Sequence, residues 1–223
     1  MKNSPKKEVK PIWDVMIDLE TLGTSPNSVV LSIVAVRFDR TTIYANPGLS
    51  IHNGKQIRGG DDPISILSIP VSMLECLAIG RVIDSRTAEF WKAVEDKSPL
   101  VESAACTDTL TFSLQQLRTF LNLGYQSIWA KSPTFDITIL RSLSADVGVE
   151  LAIDFRKEAD VRTEILDYPQ YDMPEVAKSF FVMDENNDKT LGKHNPICDC
   201  LIQIQAISEV YRAKQLGKEH VSE

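Results

Sequence analysis

Apolar residues cluster in short runs near the start of the chain and recur at helical spacing over most of the rest. Three early runs are rich in β-branched residues and are separated by turn residues at 23–27 and 40–41: "WDVMIDL", "SVVLSIVAVRFD" and "TIYANPGLSI". Short runs bounded by such turn residues predict β-strands. Their closeness along the chain predicts an antiparallel meander.

A polar, glycine-rich segment, "HNGKQIRGGDDP", follows these runs and leads into segments of helical periodicity. A further apolar run, "QSIWA", is typical of a buried strand. Gly148 is expected to end one helix, and Pro196 and Gly217 are expected to lie near the first turn and near the end of the last one. The predicted helices lie near "SRTAEFWKAVED", "TLTFSLQQLRTFLNL", "FDITILRSLSADVG", "ADVRTEILDY", "PEVAKSFF" and "NPICDCLIQIQAISEVYRAKQLG".

Strands followed by helices that alternate with at least one more strand predict an α/β fold with a mixed sheet. The chain has 223 residues, which suits one domain with a substantial core. We expect a flexible basic arm at 1–11, in which lysines could also bind phosphates weakly, and a single domain at 12–223. No apolar run is long enough for a membrane span or a signal peptide, so we expect a cytoplasmic protein without membrane contact.

The charge and cysteine content exclude some functions. A net charge of -7 argues against a protein that coats nucleic acid through a broad basic surface, but not against an enzyme that holds a few nucleotides through metal ions. The four cysteines show no C-x-x-C spacing, so we expect reduced thiols and no zinc knuckle.

Two carboxylates, Asp18 and Glu20, stand at alternate positions in the first predicted strand, "VMIDLETLG". Side chains two apart on a strand share a face, so the two would lie side by side and repel each other. A divalent cation between them would remove the repulsion, and hard oxygen ligands suit Mg²⁺ or Mn²⁺. The alternative is a strand that runs into solvent and carries hydrated acids.

Two later segments add candidate ligands. Asp136 follows the apolar strand "SIWA" near the start of a helix, where it could face a cleft or simply cap the helix. His194 and Asp199 stand five residues apart in "KHNPICDC", a spacing that can bring both into one cleft. His194 is either a base that titrates near neutral pH or a surface residue at a helix start.

The set D-x-E, a distant Asp after an apolar strand, and H-x4-D at the start of the last helix resembles the DEDDh 3′-5′ exonucleases, the DnaQ-like branch of the ribonuclease H-like fold. Within that superfamily the chain is most similar to the exonuclease VIII-like group, which includes the DexA exonuclease of T-even phages and mycobacterial exoribonucleases. The segments that carry this similarity are "MIDLETLGTSPNSVVLSIVAVRF", "IDSRTAEFW", "WAKSPTFDITIL", "DVRTEILD" and "HNPICDCLIQIQA".

The resemblance implies a ribonuclease H-like mixed five-stranded sheet flanked by helices. It also implies that His194 acts as general base and that two Mg²⁺ or Mn²⁺ ions are held by four carboxylates, with nucleoside 5′-monophosphates as products. The ligands would be Asp18, Glu20, Asp136 and Asp199. If the gene belongs to a phage, the protein would act in the host cytoplasm.

The resemblance also suggests residues that contact the terminal nucleotide. Leu19, Thr21 and Leu22 would do so by backbone and apolar contact. Trp91 and Phe135 could stack on bases or belong to the core. Arg162 and Thr163 could bind phosphate or make structural hydrogen bonds.

The expected substrate is the 3′ end of single-stranded DNA. RNA is the first alternative, since the same group contains exoribonucleases and the sequence shows no sensor of the 2′-hydroxyl. Lys131 and Ser132 stand where relatives often have a Gly-containing turn, which bears on substrate preference. A catalytically silent nucleic-acid-binding module is the alternative from another class, but no metal-binding acid is missing. The sequence does not identify a protein partner.

Overall fold

A mixed β-sheet forms the centre of the protein in the computed structural model, which describes residues 11–42, 57–58, 64–94, 96–171 and 195–219. Its strands are β1 (Trp13–Thr21), β2 (Val30–Asp39), β3 (Ile57–Arg58), β4 (Ser65–Pro70), β5 (Ile128–Ala130) and β6 (Glu158–Asp160). Their order is β3-β4-β2-β1-β5-β6. The strands from β3 to β1 pair antiparallel, and β5 and β6 continue the sheet in parallel to β1. The predicted mixed five-stranded sheet is confirmed, and the two-residue β3 extends its edge.

Helices cover both faces of this sheet, as predicted. None of those in the described ranges is long and apolar enough to cross a membrane. Two short 3₁₀ turns lie at Phe155–Lys157 and Pro169–Tyr171. The α-helices are α1 (Met73–Ala78), α2 (Ser85–Ala93), α3 (Ser98–Ala105), α4 (Leu110–Leu121), α5 (Pro133–Val147), α6 (Val161–Ile165) and α7 (Pro196–Glu219).

The alternation of side chains along β1 divides the core into two halves. Val15, Ile17 and Leu19 point to one face, where they pack with residues of α1, α2, α4 and α5. Met16 points to the other face, which is covered by α6 and α7. The even positions further along β1 are Asp18 and Glu20, so the acids lie on the α7 side of the sheet.

Local signals explain where the helices begin and end. The Asp84 carboxylate accepts hydrogen bonds from the backbone N–H groups of Arg86 and Thr87 at the start of α2. Thr109 caps α4 by accepting from Phe112 N–H at 3.2 Å. Gly148 ends α5 with φ at 72°, a left-handed conformation that glycine adopts without a steric penalty.

Most predicted elements between 85 and 168 are present, and so is the last helix. The sequence analysis did not predict β3, which lies in the polar segment after residue 52, or β4, α1 and α3, which are short elements beyond it. It also did not predict β6, which takes the first residues of the predicted helix "ADVRTEILDY". The third antiparallel strand described beside β2 is β4. The predicted strand at "TIYANPGLSI" falls almost wholly, and the predicted helix at "PEVAKSFF" wholly, outside the described residues, as does the predicted basic arm except for Pro11.

A buried ion pair holds the beginning of β1 between its neighbours. Asp14 is fully buried. It accepts hydrogen bonds from Arg40 Nε at 2.6 Å, Trp129 Nε1 at 2.9 Å and Ser127 N–H at 2.9 Å. Arg40 also donates to Ser127 Oγ at 2.9 Å. Burial raises the pKa of Asp14, and the charge of Arg40 lowers it by a smaller amount. The cluster joins β1, the residue after β2, and β5.

Replacing Arg40 with Met should destabilise the protein by about 3 kcal/mol at neutral pH, because the Asp14 charge would stay buried without its cation. Without Arg40 the pKa of folded Asp14 rises further, so protonation relieves the penalty in acid. Urea denaturation should therefore show a smaller loss at pH 5 than at pH 8.

Lys92→Met is the matched control for this substitution, because the Lys92 and Glu89 side chains are 71% and 70% exposed. Its effect should stay below about 1 kcal/mol. An equal loss for Arg40→Met at both pH values would contradict the assignment of a buried charge to Asp14.

Candidate active site

The end of β1 carries the first two acids of the site. Asp18 and Glu20 are half-buried and lie opposite Val34 and Ser32 of β2. The pairing register of β1 with β2 shifts between Glu20 and Thr21, where the strand finishes. The two carboxylates therefore stand at the carboxyl end of β1 and face the start of α7.

Asp199 enters the site from the first turn of α7. Asn195 caps this helix, since its side-chain oxygen accepts from Ile197 N–H at 3.1 Å and Cys198 N–H at 3.4 Å. Pro196 occupies the first helical position, where a missing N–H costs nothing. The helix start places one ligand oxygen each from Asp18, Glu20 and Asp199 within 4.8 Å of one another. One divalent cation can be held at that spacing.

Asp136 approaches the same end of β1 from the first turn of α5. It is 4% exposed, and its Oδ1 accepts a hydrogen bond from Leu19 N–H at 3.2 Å. β1 pairs with β5 at Val15 and Met16. Leu19 lies beyond this pairing, so its N–H can donate to the Asp136 carboxylate instead of to β5. The interpretation of Asp136 as the cap of α5 is wrong, because Ser132 holds that position.

Burial and repulsion by neighbouring carboxylates raise the pKa of Asp18 and Glu20. For Asp18 the largest cause is burial, followed by the charges of Asp136, Glu20 and Asp199. The pKa of Glu20 rises to about 8 through burial and then the charges of Asp199, Asp136 and Asp96. These shifts mean that the carboxylates hold protons more tightly than free acids, and a cation bound among them would reverse this.

Asp136 differs from the other acids in its surroundings. Burial raises its pKa to about 7, while hydrogen bonds from Leu19 N–H and its own N–H and the charge of Arg162 lower it. Arg162 is an exposed residue, and its charge acts on the Asp136 carboxylate. Thr163 makes a structural bond instead, since its hydroxyl donates to Asp160 Oδ2 at 2.9 Å.

The residues expected to contact a nucleotide are mostly buried. Leu19, Thr21 and Leu22 are 5%, 6% and 4% exposed, so their side chains belong to the protein interior. Trp91 is corrected to a core residue: it is 2% exposed, and its indole N–H donates to Thr21 O at 2.9 Å. Its role is to fix the end of β1. Phe135 is half-buried and packs at the border of the first core, next to Asp136.

Other site residues were missed by sequence reasoning or lie outside the structure. His194 falls outside the described residues and directly precedes the cap residue Asn195. Asp96 was missed because it lies in a loop far along the chain, and only the fold brings its charge near Glu20. Gln203 was missed although its spacing of four residues from Asp199 places both on one helix face. The Gln203 side chain hydrogen-bonds to Asp18.

Solved structures with the same architecture are nucleases. The nuclease domain of 3′hExo, a DEDDh family member bound to rAMP, matches with a TM-score of 0.57 at 10% identity, over 93% of this chain and 95% of that one. Exonuclease I of Methylocaldum szegediense matches with a TM-score of 0.57 at 11% identity, over 92% of this chain and 41% of that one. E. coli exonuclease I in complex with single-stranded DNA matches with a TM-score of 0.52 at 12% identity, over 89% of this chain and 40% of that one.

The fold is a ribonuclease H-like architecture, as in the nuclease domain of 3′hExo, and the family comparison shows a 3′-5′ exonuclease. The model of a family described as the 3′-5′ exoribonuclease Rv2179c-like domain matches residues 13–211, and the chain belongs to this family. A comparison with proteins of curated function finds no match. The predicted enzyme class is confirmed, and the finer similarity to DexA exonucleases stays a prediction.

Replacing Glu20 with Gln should stabilise the metal-free protein at alkaline pH. The pKa of folded Glu20 is about 8, whereas that of an unfolded Glu is about 4.3. The stability of the wild-type protein therefore falls as the pH rises between these values, while the variant escapes this loss. Thermal melting in EDTA should give a higher Tm for Glu20→Gln at pH 8.5, with a gap that narrows toward pH 5.

Glu150→Gln provides the control, because Glu150 is exposed and lies away from β1 and α7 in the sequence. It should melt like the wild type at both pH values. A Glu20→Gln protein no more stable than wild type at pH 8.5 would show that burial and repulsion do not raise the pKa of Glu20.

Proposed function

We propose that this 3′-5′ exonuclease removes nucleoside 5′-monophosphates from the 3′ end of single-stranded RNA with the help of divalent cations. The observation that carries the proposal is the acidic cluster, with ligand oxygens of Asp18, Glu20 and Asp199 within 4.8 Å. Asp136 adds a fourth carboxylate whose charge acts on two of these residues. Four carboxylates crowded at the end of β1 repel each other unless a cation lies between them. Their hard oxygen donors suit Mg²⁺ or Mn²⁺.

The residues of the site divide into metal-binding and proton-transfer groups. Asp18, Glu20, Asp136 and Asp199 would hold two ions. Bound ions of this kind activate water, neutralise the phosphate and stabilise the departing 3′ oxygen. His194 would accept the proton of the attacking water, since an imidazole titrates near neutral pH. Asn195 supports this role because it fixes the first turn of α7 immediately after His194.

RNA is favoured over the DNA predicted from the sequence by the family description and by the rAMP bound to 3′hExo. Single-stranded DNA is the second candidate, because E. coli exonuclease I, which shares the fold, has been solved in complex with it. A DexA-like phage enzyme would also fit this second candidate. Both substrates use the same chemistry, so the acidic site does not separate them.

The test compares RNA and DNA oligonucleotides of one sequence, labelled at the 5′ end, with free or blocked 3′ ends. We expect a ladder shortened from the free 3′ end, with RNA degraded at least about tenfold faster than DNA. Equal rates or a preference for DNA would overturn the substrate assignment. Degradation of 3′-blocked oligonucleotides would contradict the end dependence.

Asp18→Asn should lower the rate more than about 100-fold, because removal of a ligand charge sacrifices several kcal/mol of transition-state stabilisation. Glu150→Gln again serves as the control and should retain full activity. Wild-type activity in Asp18→Asn, or in EDTA, would disprove the metal-dependent reaction.

Arg162 is the basic residue whose charge acts on Asp136, and we include it in the proposal as a phosphate contact of the substrate. Arg162→Gln should raise KM about tenfold with a small change in kcat, as expected for loss of uniform binding. The slope of log KM against log salt concentration should decrease by about one, because one phosphate contact is lost. Steady-state kinetics at several salt concentrations measure both effects.

Arg156→Gln is the matched control, since Arg156 is exposed and its guanidinium lies 5.1 Å from the Phe155 ring. It should leave KM and its salt dependence unchanged. An unchanged KM in Arg162→Gln, or the same rise in both variants, would exclude a specific phosphate contact by Arg162.

A further inference from the structure

Gln203 is a buried polar residue in the part of α7 that covers β1. It is 2% exposed and lies one helical turn after Asp199. Its neighbours on the helix, Leu201, Ile204 and Ile207, belong to the apolar core of this face. A glutamine in such surroundings requires an explanation, because buried amides are normally paired through both of their polar atoms.

The Gln203 amide is only half paired. Its side chain pairs with the Asp18 carboxylate through the amide nitrogen, which donates, because the amide oxygen has no partner. Its Oε1 atom is buried and has no hydrogen-bond partner. An apolar side chain of similar shape would avoid the unpaired oxygen, so packing alone does not account for a glutamine here.

The neutral charge of the Gln203 amide suits a partner of Asp18. Its hydrogen bond to the carboxylate adds no charge beside the ligand oxygens of Asp18, Glu20 and Asp199. A lysine or arginine would bind Asp18 more strongly, but its charge would neutralise Asp18 and compete with a cation. A neutral amide restrains one carboxylate oxygen and leaves the full charge for a metal.

We propose that Gln203 is a positioning residue for the metal site, which orients the Asp18 carboxylate for a divalent cation without neutralising it. This inference rests on the proposed metal-dependent function. Partners that orient a metal ligand through a hydrogen bond commonly contribute about 10- to 100-fold to metal affinity. Because Gln203 and Asp199 share α7, one helix supplies a metal ligand directly and orients another on β1.

The test measures Mn²⁺ binding by isothermal titration calorimetry in the absence of nucleic acid. Gln203→Met keeps the length of the side chain and removes the amide, so the Kd for Mn²⁺ should rise at least about tenfold. The melting temperature in EDTA should not fall, because the unpaired oxygen is removed as well. The Mn²⁺ concentration for half-maximal nuclease activity should rise in parallel with the Kd.

Gln205→Met is the matched control, because Gln205 lies on the same helix and also has a buried Oε1 atom without a hydrogen-bond partner. It should bind Mn²⁺ like the wild type. If Gln203→Met does not fold, Gln203→Asn keeps the amide but withdraws it by one methylene, and it should weaken Mn²⁺ binding in the same way.

Wild-type Mn²⁺ affinity in a folded Gln203 variant, or an equal loss in Gln205→Met, would overturn the role of Gln203 while leaving the proposed function intact. A wild-type protein that does not bind Mn²⁺ at all would instead refute the metal-dependent function itself. The two failures are therefore distinguishable in one titration series.

Discussion

Repulsion between half-buried carboxylates is the constraint on which the arrangement of this protein depends. Asp18, Glu20 and Asp199 converge within 4.8 Å, and Asp136 lies close enough to raise the pKa of two of them. Such a cluster opposes folding, so the surrounding structure must hold it in place. The central strand β1 and two helices that begin beside its carboxyl end, α5 and α7, hold the four acids in place.

Both helices present their acid in the same way. "SPTFD" at the start of α5 and "NPICD" at the start of α7 each consist of a polar cap residue, a proline at the first helical position and an Asp three residues later. In each, the Asp N–H donates to the carbonyl of the cap residue, at 3.1 Å for Asp136 and 3.0 Å for Asp199. The positive end of each helix dipole partly offsets the charge that the acid brings.

The sequence was sufficient for the parts that depend on local patterns. Alternation placed Asp18 and Glu20 on one face of β1. Helical periodicity located α2, and start and stop residues located α5 and α7. It was insufficient where long-range packing decides. Trp91 could be a stacking or a core residue until the fold placed it in the core. The strand β4 has only six residues and pairs with β2, which lies about 30 residues earlier in the chain. Asp96 joins the site through tertiary structure alone.

The buried pair of Asp14 and Arg40 has a consequence at the opposite end of β1. A strand that slips by one residue turns every side chain to the other face of the sheet, and such a slip would drive Asp18 and Glu20 into the apolar core. The same slip would also pull Asp14 away from Arg40, Trp129 and Ser127, and would leave its charge buried among the wrong neighbours. The salt bridge of Asp14, which lies four residues before Asp18 on β1, thus favours the strand register that keeps Asp18 and Glu20 on the α7 side of the sheet.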